Sequence, residues 1–118
     1  MVLFVDDERI NLLAFRAQLR EEFNVVCAAG PEEAIETLEK QPVDVVLTDQ
    51  RMPGRSGTEL LEEIRERFPH ASRAIITGFG DDEQVCRAVE RGLAEEVFEK
   101  PWRVDELKSF IRSRNGAE

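Results

Sequence analysis

Residues 43–54 read VDVVLTDQRMPG, a short apolar run from Val43 to Thr48, closed by Asp49 and followed by the turn signal Met52-Pro53-Gly54. A run this brief and this continuously apolar fits a strand covered on both faces. Three other runs end in the same manner. VLFV (Val2 to Val5) stops at Asp6-Asp7, AIIT (Ala74 to Thr77) ends on a hydroxyl, and EVFE (Glu96 to Glu99) runs into Lys100. A fifth run, Val25 to Ala28, completes the set. In a parallel sheet all these polar ends leave from one edge, the edge at which open α/β sheets bind ligands.

Helical patterns fill the gaps between runs. About Arg9 to Glu22, the residues Ile10, Leu13, Ala14 and Ala17 recur at i, i+3, i+4, i+7, with Leu12, Phe15 and Leu19 broadening the apolar face. Pro31 after Gly30 suits the first turn of a second helix with Ala34, Ile35 and Leu38 inside. The third starts near Thr58, buries Leu60, Leu61, Ile64 and Phe68, and stops at Pro69. A fourth runs from about Asp82 to Gly92 with Val85, Cys86 and Val89 inward, and a fifth follows Trp102 with Val104, Leu107, Phe110 and Ile111 inward. Alternation with short connections predicts an α/β fold, a doubly wound five-stranded parallel sheet with five helices on two faces. Order 2-1-3-4-5 is expected, because its switch point between strands 1 and 3 places Asp6, Asp7 and Asp49 at one crevice.

Composition narrows the function classes. The 118 residues fit a single domain, 1–118, and their 42% hydrophobic content supports an ordinary core. No run approaches the roughly 20 apolar residues of a membrane span, and MVLFV is too short for a signal-peptide core, so a cytoplasmic location is expected. Acidic residues exceed basic ones by 25 to 16, a net charge of −9, which argues against direct nucleic-acid binding. Cys27 and Cys86 belong to no metal or redox motif and are expected to be buried thiols. His70, the single histidine, is expected in a surface loop.

The charges suggest a chemistry. Three carboxylates at one sheet edge repel one another unless a cation intervenes, and magnesium suits an all-oxygen site that also takes phosphate oxygens. Backbone carbonyls after Asp49 can complete the shell, that of Arg51 being the natural candidate. An aspartate can act as nucleophile and form an aspartyl-phosphate, given a metal and a cation such as Lys100 to offset charge; Thr77 offers a hydroxyl to the new phosphoryl oxygens. Plainer readings stand beside these. Asp6-Asp7-Glu8 can cap the first helix, Asp49 can end a strand as a turn former, and Thr77 can serve as a β-branched strand residue. Trp102 is expected to pack locally.

Taken together, VLFVDDE, VVLTDQRMPGRSG, IITG and FEKPW, in that order, resemble the receiver domain of two-component response regulators over nearly the whole chain. The resemblance implies the flavodoxin-like receiver fold and a phosphorylation-activated signalling domain rather than an enzyme acting on small substrates. It implies Asp49 as phosphoacceptor, Asp7 and Asp49 as direct magnesium ligands, Asp6 as a ligand acting mainly through water, and the Arg51 carbonyl as the remaining protein ligand. Thr77 matches the switch hydroxyl, Lys100 the phosphate-pairing lysine, and Lys100-Pro101 a position where a cis peptide is usual. The implied partners are a sensor histidine kinase or phosphotransfer protein, and an output domain or partner reached through helix 4, strand 5 and helix 5. That face mixes Arg87, Arg91, Arg103 and Lys108 with Glu90, Glu95 and Asp105, which permits a homodimer.

Two features depart from the commonest receiver pattern. Val97 stands where many receivers carry Tyr or Phe, and Phe98 is expected on the opposite sheet face. TGFG with KPW resembles receivers attached to transcriptional activators, cyclic-dinucleotide phosphodiesterases and hybrid kinases, and Arg51 and Phe79 are expected to overhang the phosphoryl site. Three other classes compete with this reading. A haloacid-dehalogenase-type phosphatase wants Asp-x-Asp after strand 1, where this chain has Asp6-Asp7-Glu8; a flavin or nucleotide carrier wants a glycine- or hydroxyl-rich loop there; a receiver-like interaction module would work without phosphorylation.

Overall fold

In the computed structural model, which describes residues 1–114, strands and helices alternate without exception. They are β1 (Val2–Val5), α1 (Arg9–Leu19), β2 (Val25–Ala28), α2 (Pro31–Lys40), β3 (Val45–Thr48), α3 (Gly57–Arg67), β4 (Ser72–Thr77), α4 (Glu83–Glu90), β5 (Glu96–Glu99) and α5 (Val104–Arg114). Residues 115–118 of the expected domain lie outside the described part. The sheet is wholly parallel in the order β2-β1-β3-β4-β5, as the switch-point reasoning requires.

Strand alternation divides the core into two layers. Leu3, Val5, Val46 and Ile75 face α2, α3 and α4 through Ala34, Leu38, Leu60, Leu61, Ile64, Val85 and Ala88. Val2, Phe4, Leu47, Ile76 and Phe98 face α1 and α5 through Phe15, Leu19, Leu107, Phe110 and Ile111. Val97 and Phe98 thus fall on opposite faces, Val97 packing in the first layer and Phe98 edge-on to Phe110 in the second. Each fully buried Leu, Ile or Phe contributes about 1.5–3 kcal/mol relative to exposure, so both layers are needed to hold so small a domain.

Two helix faces differ from the periodicity reading. On α1 the buried residues are Phe15 and Leu19, while Ile10 is 74% exposed and Leu13 56%. The competing stripe wins because Phe15 stacks on Phe4 (centroids 4.2 Å apart) and both meet Trp102 edge-on, an aromatic cluster assembled from three elements. Trp102 packs locally as expected, its indole N–H donating to Gln18 Oε1 at 2.7 Å. On α4 the inward pair is Val85 and Ala88; Cys86 and Val89 face outward. The expectation of two buried thiols is therefore corrected: Cys86 is exposed and Cys27 half-buried, because an exposed stripe flanks each helix face and β2 is an edge strand. His70 lies in an exposed turn, as expected.

Helix starts follow local chemistry. Ser56 and Glu59 form a reciprocal capping box at α3, one residue earlier than the expected Thr58 start. Asp82 caps α4 by accepting from the Gln84 and Val85 N–H groups. Gly92, at φ +73, turns the chain out of α4.

Candidate functional site

Parallel register brings the C-terminal ends of β1, β3, β4 and β5 to one edge. Val5 pairs with Thr48, and the Asp49 N–H donates to the Val5 carbonyl at 2.8 Å, so the residues after each strand emerge side by side. At β4 and β5, Thr77 pairs with Glu99 and the Lys100 N–H donates to the Thr77 carbonyl at 3.0 Å. The sheet has converted four separate chain segments into one cluster.

Asp6 is fully buried and every contact orients it. Its Oδ1 accepts from the Glu8 N–H at 2.9 Å, and its Oδ2 from Asn11 Nδ2 at 3.1 Å and Lys100 Nζ at 2.8 Å. Asp6 thus also steadies the start of α1, where Glu8, the N-cap residue, makes no side-chain cap. Asp49, 7% exposed, takes the Gln50 N–H on Oδ1 at 2.8 Å and lies 3.3 Å from Lys100 Nζ through Oδ2. Asp7 is exposed, yet one oxygen from each of Asp6, Asp7 and Asp49 lies within 4.8 Å of the others. These are hard oxygen donors with no nitrogen or sulfur among them, a set that fits magnesium or calcium.

The electrostatics agree with that fit. Burial raises the Asp49 carboxyl above its ordinary range, Lys100 opposes the rise, and neighbouring Asp6 adds to it. Burial weighs against the Lys100 ammonium too, but its hydrogen bond to Asp6 and the charges of Asp49 and Asp6 outweigh this and hold it above the ordinary lysine range. One lysine shared between two carboxylates leaves the cluster short of positive charge.

Thr77 is fully buried at the end of β4, and its hydroxyl accepts from the Phe79 N–H at 3.1 Å rather than meeting Asp49. Arg51 leaves the site side of β3 with its guanidinium 3.7 Å above the Phe79 ring and 3.5 Å from Asp82 Oδ2. Lys100-Pro101 is cis. Sequence reasoning missed Asn11, Asp82 and above all Gln50, 1% exposed, whose side chain bridges the starts of α3 and α4. A polar residue directly after Asp49 was the available signal, but in a turn segment it reads as solvated.

The family model for the response regulator receiver domain matches residues 2–112. The chain belongs to this family. Among curated proteins, the receiver is 42% identical over 94% of its length to the hydrogenase transcriptional regulatory protein HoxA of Cupriavidus necator, covering 23% of that protein. It is 35% identical over 93% of its length to a cyclic di-GMP phosphodiesterase of Thermotoga maritima, covering 29% of it. The chain thus spans about a quarter of the length of these relatives. Among solved structures, a receiver domain from Clostridium thermocellum superposes with a TM-score of 0.87 at 32% identity, over 96% of this chain and 91% of that one. The response regulator TrrA of Thermotoga maritima, solved with magnesium and beryllofluoride, superposes at 0.80 with 28% identity, over 95% of this chain and 96% of that one. The receiver of this chain is a two-component signalling domain; among its described residues no helix is long and apolar enough to cross a membrane.

Proposed function

We propose that this receiver is a switch activated by phosphorylation of Asp49 in a magnesium-dependent reaction. The observation that carries the reading is the convergence of Asp6, Asp7 and Asp49 oxygens within 4.8 Å, with Lys100 Nζ reaching both Asp6 and Asp49. Asp6, Asp7, Asp49 and the Arg51 carbonyl would hold the magnesium ion, which when bound offsets carboxylate charge and that of the incoming phosphoryl group. A carboxylate oxygen of Asp49 attacks phosphorus; the new O–P bond forms as the P–N bond of a kinase or phosphotransfer phosphohistidine breaks, and the imidazole takes the electron pair. Lys100, already poised between two carboxylates, balances the added charge, and the Thr77 hydroxyl leaves the Phe79 N–H to donate to a phosphoryl oxygen.

The dianionic group favours a conformation in which the β4–α4 and β5–α5 loops move inward. Output passes through the α4, β5 and α5 face to an output domain or partner, or to a second copy. Supporting this, α4 exposes Val89 and also carries charged side chains such as Arg87 and Glu83, paired at 2.8 Å. Arg51, two residues past Asp49, and Phe79, on which its guanidinium stacks, slow water attack on the phosphoryl group. Intact-mass measurement after incubation with acetyl phosphate tests the reading. A phosphoryl adduct is expected on the wild type with magnesium, not without it and not on Asp49→Asn; an adduct of equal yield on Asp49→Asn would overturn the assignment.

A further inference from the structure

The two residues after Asp49 both hold the first turn of α4. Outside, Arg51 pairs with Asp82, the N-cap of α4, and lies over Phe79. Inside, Gln50 has a partner for every polar group it carries. Its N–H donates to Asp49 Oδ1 at 2.8 Å and its carbonyl accepts from the Gly57 N–H at 2.8 Å. Its side-chain Oε1 accepts from the Thr58 N–H at 2.9 Å, while Nε2 donates to Gln84 Oε1 at 3.0 Å and reaches Thr58 Oγ1 at 3.4 Å. A buried amide this fully engaged cannot shift without its partners following or its bonds breaking.

The two sides of this junction differ in slack. Toward α3 there is none: a Cβ on Gly57 would stand 2.2 Å from the Asp49 carbonyl oxygen and 3.1 Å from Gln50 Cα, so α3 is pressed against the acceptor's own backbone. Toward α4 there is room. That helix has eight residues, buries only Val85 and Ala88 of them, and follows the partly or fully exposed segment from Gly78 to Asp82. A displacement at Asp49 and Gln50 is therefore taken up at α4. Val97 on β5, an aliphatic side chain packed in the first core layer, has no polar group with which to report the site's state.

We propose that the Gln50–Gln84 hydrogen bond is the link by which a phosphoryl group on Asp49 changes the first turn of α4. The inference rests on the acceptor role given to Asp49 above. Formation of the acyl phosphate removes charge from the carboxylate that the Gln50 N–H contacts, and the phosphoryl dianion competes with Asp82 for Arg51, so both ties to α4 are altered together. Gln84 is exposed apart from this bond, so its substitution tests the link without opening the core.

Amide hydrogen exchange by mass spectrometry over residues 82–87, read beside the intact mass of each sample, gives the test. In the wild type, phosphorylation with acetyl phosphate and magnesium is expected to change exchange there about fivefold or more, the lower end of ordinary coupling between sites. Gln84→Ala should form the adduct normally yet lose most of that response, and Gln84→Glu, which keeps an acceptor for Gln50 Nε2, should retain it. A full response in Gln84→Ala, or an unchanged α4 in fully phosphorylated wild type, would overturn the link while leaving the acceptor reading intact. Wild type that forms no adduct would sink the acceptor reading and the link with it.

Discussion

Lys100 leans on Asp6 rather than on Asp49: its Nζ lies 2.8 Å from Asp6 Oδ2 and 3.3 Å from Asp49 Oδ2. Asp6 is fully buried, so this ion pair is the more dependent of the two on its partner. Lys100→Met should destabilise the domain by about 1–3 kcal/mol in urea unfolding, because it leaves a buried carboxylate without its cation. Millimolar magnesium should return much of that loss. Equal urea midpoints for the two proteins without magnesium would show that Asp6 does not need Lys100.

Asp49 makes the opposite contribution. Burial, chiefly, raises its carboxyl in the folded state above the ordinary value of 3.8. A carboxyl raised on folding favours the fold where it is protonated, and that stability is lost as pH rises through the folded value. At neutral pH without magnesium, Asp49→Asn should therefore melt about 2–5 °C higher than wild type. The difference should close as pH falls toward 3.8. A pH series of melting curves in which the gap stays constant would contradict this.

Gly57 occupies the first turn of α3, where Ala would ordinarily stabilise by up to about 1 kcal/mol. Here the added Cβ meets the Asp49 carbonyl oxygen at 2.2 Å, a backbone atom that cannot swing aside. Gly57→Ala should instead cost about 2–3 kcal/mol and slow phosphorylation by acetyl phosphate. Unchanged stability and rate together would mean that α3 is not seated on the Asp49 backbone.

The two faces of α1 should respond differently. Ile10→Ala and Leu13→Ala should each change stability by no more than about 0.5 kcal/mol, whereas Phe15→Ala, which empties the stack on Phe4, should cost about 3–5 kcal/mol. Comparable losses at all three positions would restore the face that periodicity suggested.

That periodicity erred on α1 and α4 for one reason. A helix carrying two overlapping apolar stripes, Ile10-Leu13-Ala14-Ala17 and Leu12-Phe15-Leu19, has no local feature that ranks them. The ranking came from Phe4 and Trp102, distant in sequence and adjacent in space. On α4, likewise, the 3.6-residue period admitted Cys86 and Val89 as readily as Ala88, and only the fit against the sheet chose the small residue.

Short apolar runs ending in Asp6, Asp49, Thr77 and Lys100 were sufficient to read the parallel sheet, its order and the edge at which those residues gather from the chain alone, since strands buried on both faces admit few other patterns. Tertiary structure alone decided who touches whom at that edge. That Lys100 prefers Asp6, that Thr77 rests on Phe79, and that Gln50 reaches Gln84 across 34 positions of sequence depend on distances set by packing between elements. Burial then makes those hydrogen bonds obligatory, because a polar group removed from water must find its partner within the protein.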